Sequence, residues 1–142
     1  MNPEIVCVDT NIFIRLFTQD DPIQTQAALA LIQEAAAGKF TLVVNDLILS
    51  EIAWVLQRAY KLTPKQIRKH LWAMAKMPFI EIRAADLATQ LMSALDLYVT
   101  QNIDYTDAYI GSWMKANHIS VIYTFNRKHF RRIDGLDVRV PS

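Results

Sequence analysis

Short apolar runs alternate with longer stretches of helical spacing along this chain. Ile5-Val6-Cys7-Val8 is unbroken by polar residues and stops at Asp9. Such a run fits a strand covered on both faces, as in a parallel sheet. Asp9-Thr10-Asn11 then offers capping side chains before the apolar segment 12–17. Asp21-Pro22 is a second helix start, with Asp as cap and Pro at the first helical position. Ala28, Leu31, Ile32 and Ala35 keep helical spacing until Gly38 stops it. Thr41-Leu42-Val43-Val44 predicts the next strand, and Asn45 or Asp46 caps a helix from Leu47 to about Tyr60. Thr63-Pro64 opens another helix, with Ile67, Leu71 and Met74 on one face.

Phe79-Ile80-Glu81-Ile82 predicts a third strand, followed by helices over 84–100 and 104–117. A fourth strand is expected over 120–125, a short helix over 127–133, and a last edge strand over 138–140 before Pro141. Strands alternating with helices predict one α/β domain over residues 1–142, a sandwich around a largely parallel sheet.

Composition narrows the functional classes. Of 142 residues, 52% are hydrophobic, enough for a core and too many for a disordered chain. Fifteen Lys and Arg against fourteen Asp and Glu leave a net charge of +1, so bulk charge announces no nucleic-acid partner. The three glycines, Gly38, Gly111 and Gly135, build neither a P-loop nor a dinucleotide fingerprint. His70, His118 and His129 lack zinc-site spacing, and the single Cys7 forms no internal disulfide. The longest apolar stretch, 42–56, is broken by Asn45, Asp46, Ser50 and Glu51, which is wrong for a membrane helix. Glu4 and Asp9 within the first apolar stretch are wrong for a signal peptide, so the expected location is the cytoplasm.

Ligands of open α/β sheets sit at the carboxyl ends of the strands. Asp9 lies at one such end, and Thr124 and Asn126 lie at another. Glu51 has Leu47, Ile48, Trp54 and Val55 as its helical neighbours, which places it on an inward face. Asp107 has Ile103, Asp104, Ile110 and Gly111. Gly111 inside a helix points to close packing or to room for a ligand. Each acid alone has an ordinary reading: Asp9 or Asp107 as a helix cap, Glu51 paired with a buried arginine. Together they would repel one another and need cations, for which Arg15, Arg58 and Arg83 are the inward candidates. Hard oxygen ligands without His or Cys suit Mg²⁺ or Mn²⁺.

These residues resemble the motifs of PIN-domain ribonucleases, and in length and order the VapC-like toxins of toxin–antitoxin pairs. Asp9-Thr10-Asn11 is similar to their opening motif, Ser50-Glu51 to their second acid, and Asp107-Ala108-Tyr109-Ile110 to the helix start carrying the third. The run from Tyr123 through Thr124, Asn126 and His129 to Phe130 resembles their fourth motif. The resemblance implies an α/β/α sandwich and Mg²⁺- or Mn²⁺-dependent RNA cleavage that leaves 5′-phosphate and 3′-hydroxyl ends. It makes Asp9, Glu51 and Asp107 metal-site acids, and Thr10 and Thr124 hydroxyls that orient carboxylates or water. Asn126 stands where many members have Asp, which leaves one tight ion and a second arriving with substrate. Asp104, one turn before Asp107, either restores the missing charge or caps its helix.

Arg127, Lys128, His129, Arg131 and Arg132 cluster beside Asn126, and Arg127, Lys128 and Arg131 are the expected RNA contacts. Lys65, Lys69, Trp72 and Lys76 form a stripe at helical spacing with Arg68 adjacent, either a solvated face or an RNA guide. The expected partners are RNA, a small cognate antitoxin and a second copy of the chain, with no membrane. The apolar segment 12–17 and the helix from Leu47 are the surfaces expected to meet another chain. The competing expectations are a PIN scaffold that binds without cutting, because of Asn126, and a phosphohydrolase on a similar sheet. The second lacks the Asp-x-Asp its nucleophile needs, since position 11 is Asn.

Overall fold

A computed structural model describes residues 2–142. Five strands, β1 (Glu4–Val8), β2 (Phe40–Asn45), β3 (Ile80–Arg83), β4 (Val121–Tyr123) and β5 (Asp137–Arg139), form one sheet in the order β3-β2-β1-β4-β5. Every neighbouring pair is parallel. Six helices connect them: α1 (Thr10–Thr18), α2 (Pro22–Ala36), α3 (Asp46–Arg58), α4 (Pro64–Lys76), α5 (Leu87–Gln101) and α6 (Tyr105–Ala116). The chain steps outward from β1 through β2 to β3, then returns to place β4 on the other side of β1. Right-handed crossovers therefore put α1–α4 on one face and α5–α6 on the other. The direction changes between β1 and β4, and their carboxyl ends open a crevice there.

The helix starts follow local chemistry. Asp21 accepts from the Gln24 amide at 3.1 Å, and Thr63 and Gln66 form a reciprocal capping box. Asn45, fully buried, accepts from the Ile48 amide at 2.8 Å and so caps α3. Asp46 is thereby free to accept from the Ala85 amide at 2.8 Å. That bond, with Trp113 Nε1 donating to Ala84 O at 2.8 Å, holds 84–86 as a loop. Asp86 lies in the left-handed region, so α5 begins at Leu87 rather than at Ala84.

The core gathers Val6, Val8, Ile12, Phe13, Leu42, Ile48, Ile52, Trp113 and Ile122, all essentially inaccessible. Each such aliphatic side chain contributes about 2 kcal/mol on burial. Gly111 serves packing: a Cβ there would come 2.5 Å from Ile133 Cδ1, so the missing side chain lets α6 seat on the segment after β4. The expected short helix over 127–133 is only a 3₁₀ turn, Phe130–Arg132.

The exposed apolar surface differs from expectation. Ile12, Phe13 and Ile14 are buried, so most of the segment 12–17 is unavailable to a partner. Trp54, 61% exposed, is what α3 still offers. The larger apolar face belongs to α5, where Leu87, Leu91, Met92, Tyr98 and Val99 are exposed and Ala94 alone is fully buried. No helix among the described residues is long and apolar enough to cross a membrane.

Candidate functional site

The end of β1 and the end of β4 are tied together by side chains. Cys7 pairs with Ile122 and Val8 with Tyr123, so Asp9 and Thr124 emerge side by side. Thr124 Oγ1 donates to Asp9 Oδ2 at 2.8 Å, and the Thr10 amide donates to Asp9 Oδ1 at 2.8 Å. Asp9 is thus the N-cap of α1 as well as a cleft acid. Asn11 completes the tie: its Nδ2 donates to Thr124 Oγ1 at 3.1 Å, and its Oδ1 accepts from the Phe125 amide at 3.1 Å. The Thr124 amide still bonds Arg139 O, but the Phe125 and Asn126 amides go to side chains, so the strand does not run on to Phe125.

A cleft of about 570 Å³ opens over this junction. Asp9, Thr10, Glu51, Asp104, Asp107 and Asn126 all line it. Glu51 comes from α3 as a rim residue: Ile48 beside it is buried, whereas Trp54 points outward. Asp107 lies in the first turn of α6. Asp104 occupies the N-cap position of α6 but makes no capping bond there.

The acids raise one another's pKa. Burial, then the Asp107 and Glu51 carboxylates, push Asp9 up to about 7 against the pull of Thr124 and the Thr10 amide. Burial also raises Glu51, with Asp107 and Asp104 adding to the rise. The Thr10 hydroxyl, buried without a partner in hydrogen-bonding geometry, is near enough to Glu51 to offset part of it. Burial raises Asp107 as well, and His129 opposes that shift.

The three arginines expected to compensate are engaged elsewhere or exposed. Arg15 reaches the cleft wall but donates to Gln24, Tyr60 and Asp20. Arg83 pairs with Glu81 at 2.8 Å, and Arg58 is exposed. No Lys or Arg among the described residues pairs with Asp9, Glu51, Asp104 or Asp107. The basic side chain that reaches the acids is His129, whose Nδ1 lies 2.8 Å from Asp107 Oδ2 and 3.4 Å from Asp104 Oδ2.

His129 and Asn11 are the residues that sequence reasoning left out of the site. His129 sits three residues after Asn126 in the fourth motif, where its neighbours in sequence group it with the basic cluster. Asn11 belongs to the Asp-Thr-Asn run itself. The remaining cluster behaves differently from His129: Arg127, Lys128 and Arg131 are exposed and lie outside the cleft lining. Asn126 Oδ1 accepts from the Lys128 amide at 3.2 Å, so its amide oxygen is partly occupied by its own turn.

The donor set suits a hard divalent cation. Four carboxylates face one cleft, three of them hold raised pKa values, and a buried hydroxyl lacks a partner. One ligand atom from each of Asp104, Asp107 and His129 lies within 4.8 Å of the others.

Comparison with solved structures finds the same fold in several chains at low identity. One is VapBC2 from Rickettsia felis bound to a promoter DNA fragment, with TM-score 0.74, 19% identity, and coverage of 97% of this chain and 99% of that one. Another is VapC20 of Mycobacterium tuberculosis, described as a sarcin-ricin loop cleaving toxin. Its TM-score is 0.70 at 16% identity, covering 89% of this chain and 93% of that one. A toxin–antitoxin complex from Klebsiella pneumoniae matches with TM-score 0.69 and 18% identity, covering 96% and 98%. No curated protein sequence matches the chain. The PIN domain family model matches residues 6–136, nearly the whole chain, and this protein belongs to the PIN domain family.

Proposed function

We propose that this PIN domain is a divalent-cation-dependent ribonuclease and the toxin of a toxin–antitoxin pair. The observation that carries the reading is Asp9, a buried carboxylate facing Asp107 and Glu51 without a Lys or Arg partner among the described residues. Buried like charges are costly unless a cation joins them. The fold shared with VapC20, a sarcin-ricin loop cleaving toxin, with VapBC2 and with a toxin–antitoxin complex supports the biological half.

Asp9, Glu51 and Asp107, with Asp104 at the rim, would hold Mg²⁺ or Mn²⁺. When bound, such an ion polarises a phosphoryl oxygen and lowers the pKa of water. The rest is done by this chain. Thr124 and the Thr10 amide fix the Asp9 carboxylate, and His129 fixes Asp107. Arg127, Lys128 and Arg131, exposed and close in sequence to Asn126, would attract the phosphates of RNA. Asn126 adds an oxygen without charge, so the site binds one ion more tightly than a second.

Two protein partners fit the remaining surface. A small antitoxin inserting an Arg or Lys among Asp9 and Asp107 would compete with the cation by charge alone. A second copy of the chain would cover the apolar face of α5 around Leu91, Met92 and Val99. One observation favours the alternative of a PIN scaffold that binds without cutting: Asn126 brings no charge, and its oxygen is engaged by Lys128.

Expression in a bacterial host tests the reading. Wild-type chain should arrest growth, Asp9→Asn should not, and co-expression of the adjacent small reading frame should restore growth. Harmless expression of a folded wild type that pulls down no small partner would remove the toxin reading and leave the fold untouched.

A further inference from the structure

Charge is unevenly distributed along this nearly neutral chain. Between Glu51 and Glu81 there are six Lys and Arg and no Asp or Glu, although the whole chain is only +1. Lys65, Arg68, Lys69 and Lys76 sit on α4. All four are exposed, and none pairs with a carboxylate among the described residues. In their midst Trp72 is 58% exposed, with the Arg68 guanidinium 5.1 Å and Lys76 Nζ 6.0 Å from its ring centre. A solvated helix face has no need of an indole, which here leaves a large apolar ring in water. Cations alternating with an exposed aromatic are the combination that binds single-stranded nucleic acid. The cations take phosphates and the ring takes a base.

The surface is also continuous with the acidic cleft. Tyr60 lines that cleft and the adjoining groove, where Phe17 and His70 stack at 4.5 Å. Gln66 and Lys69 line that groove and the depression around Trp72. A strand following this surface meets one acid before the cleft carboxylates, Asp20, whose oxygens are held by Tyr60, Thr18 and Arg15. From Lys65 to Lys76 the helix runs about 16 Å, enough for several nucleotides.

We propose that the α4 face is a docking track for single-stranded RNA. A base stacks on Trp72, phosphates pair with Lys65, Lys69 and Lys76, and the strand passes Tyr60 into the acidic cleft. This rests on the ribonuclease reading for its direction, but binding itself does not need the cleft to cut. An acidic protein segment would satisfy the lysines and leave the indole without a role, so RNA is the occupant that uses every feature of the face.

The test is the affinity of the full-length Asp9→Asn chain for a short, unstructured, fluorescein-labelled RNA over a series of salt concentrations. In that background Trp72→Ala should weaken binding about tenfold, and Trp72→Phe should restore most of it. Lys65→Glu with Lys69→Glu should weaken it further and flatten the logarithmic salt slope by about 1.4, two phosphate contacts at ~0.7 each. Unchanged circular dichroism would show that the exposed substitutions leave the fold intact. Equal affinity of all variants, or no binding by the Asp9→Asn parent, would overturn the track. So would a polyglutamate peptide that displaces the RNA and binds with no dependence on Trp72, since that result assigns the face to a protein. Wild-type cleavage in Mg²⁺ keeps the two readings apart. A chain that cuts RNA while α4 variants bind normally loses only the track. A chain that binds through Trp72 and never cuts loses only the nuclease.

Discussion

His129 Nδ1 lies 2.8 Å from Asp107 Oδ2, which makes an imidazole the sole basic side chain in contact with the acidic cluster among the described residues. His129 is only 15% exposed at its side chain, and Asp107 21%, so solvent screens this contact weakly. The imidazole orients a carboxylate that the proposed cation also needs, as outer partners of metal ligands commonly do.

His129→Ala is therefore expected to lower Mn²⁺ affinity, read by calorimetry, and RNA cleavage by about 10–100-fold each. His129 acts here as a positioning residue. The melting temperature in EDTA should fall modestly, because His129 opposes the burial-driven rise of Asp107, and unchanged circular dichroism would show that the fold is kept. Loss of folding with no separable loss of ion affinity would assign His129 to stability instead.

Much of this arrangement is legible in the sequence. Apolar runs ending in Asp9 and Thr124 give two strand ends, and parallel pairing of β1 with β4 brings them together. The inward placement of Glu51 is legible only in part, since Trp54, a neighbour in the same pattern, faces solvent. His129 is not legible. Its contact with Asp107 spans 22 residues and depends on a 3₁₀ turn where helical spacing predicts a longer helix. The start of α5 is hidden for a similar reason, because Ala84 and Ala85 are good helix formers diverted by bonds from Trp113 and to Asp46. Periodicity also overstates the free surface of α1, which a two-layer packing of α2 and α3 covers.

Metal-free stability should fall as pH rises. The folded-state pKa of Asp9, about 7, lies above its ordinary 3.8. Between these values the unfolded chain has released a proton that the folded chain still holds, so each step up in pH favours unfolding. Glu51 and Asp107 are shifted in the same direction and add to the slope. Thermal melts in EDTA should drop from about pH 4 to about pH 7 and level off above. Asp9→Asn should flatten the profile and melt higher than wild type at neutral pH. Added Mg²⁺ should raise the wild-type melting temperature and leave the variant nearly unmoved. A wild-type profile that rises over this range would contradict the carboxylate cluster described here.

Asn126→Asp should strengthen a second binding event. The substitution keeps an oxygen able to accept from the Lys128 amide, now 3.2 Å from Oδ1, and adds a negative charge to the cleft. Calorimetry with Mn²⁺ should show tighter binding, on the order of tenfold, in the weaker of two events. Identical isotherms would place Asn126 outside the coordination shell and make Asp104 the next candidate.

Asp9, Glu51 and Asp107 are proposed to form a cation site that cuts RNA. The most direct measurement is cleavage of a mixed-sequence RNA by highly purified chain, in Mg²⁺ or Mn²⁺ and in EDTA, with Asp9→Asn purified alongside. The expected result is cleavage that appears only with the divalent ion, leaves 5′-phosphate and 3′-hydroxyl ends, and falls by at least about a thousandfold in Asp9→Asn. Cleavage that persists in EDTA, or that Asp9→Asn retains at the wild-type rate, would contradict it.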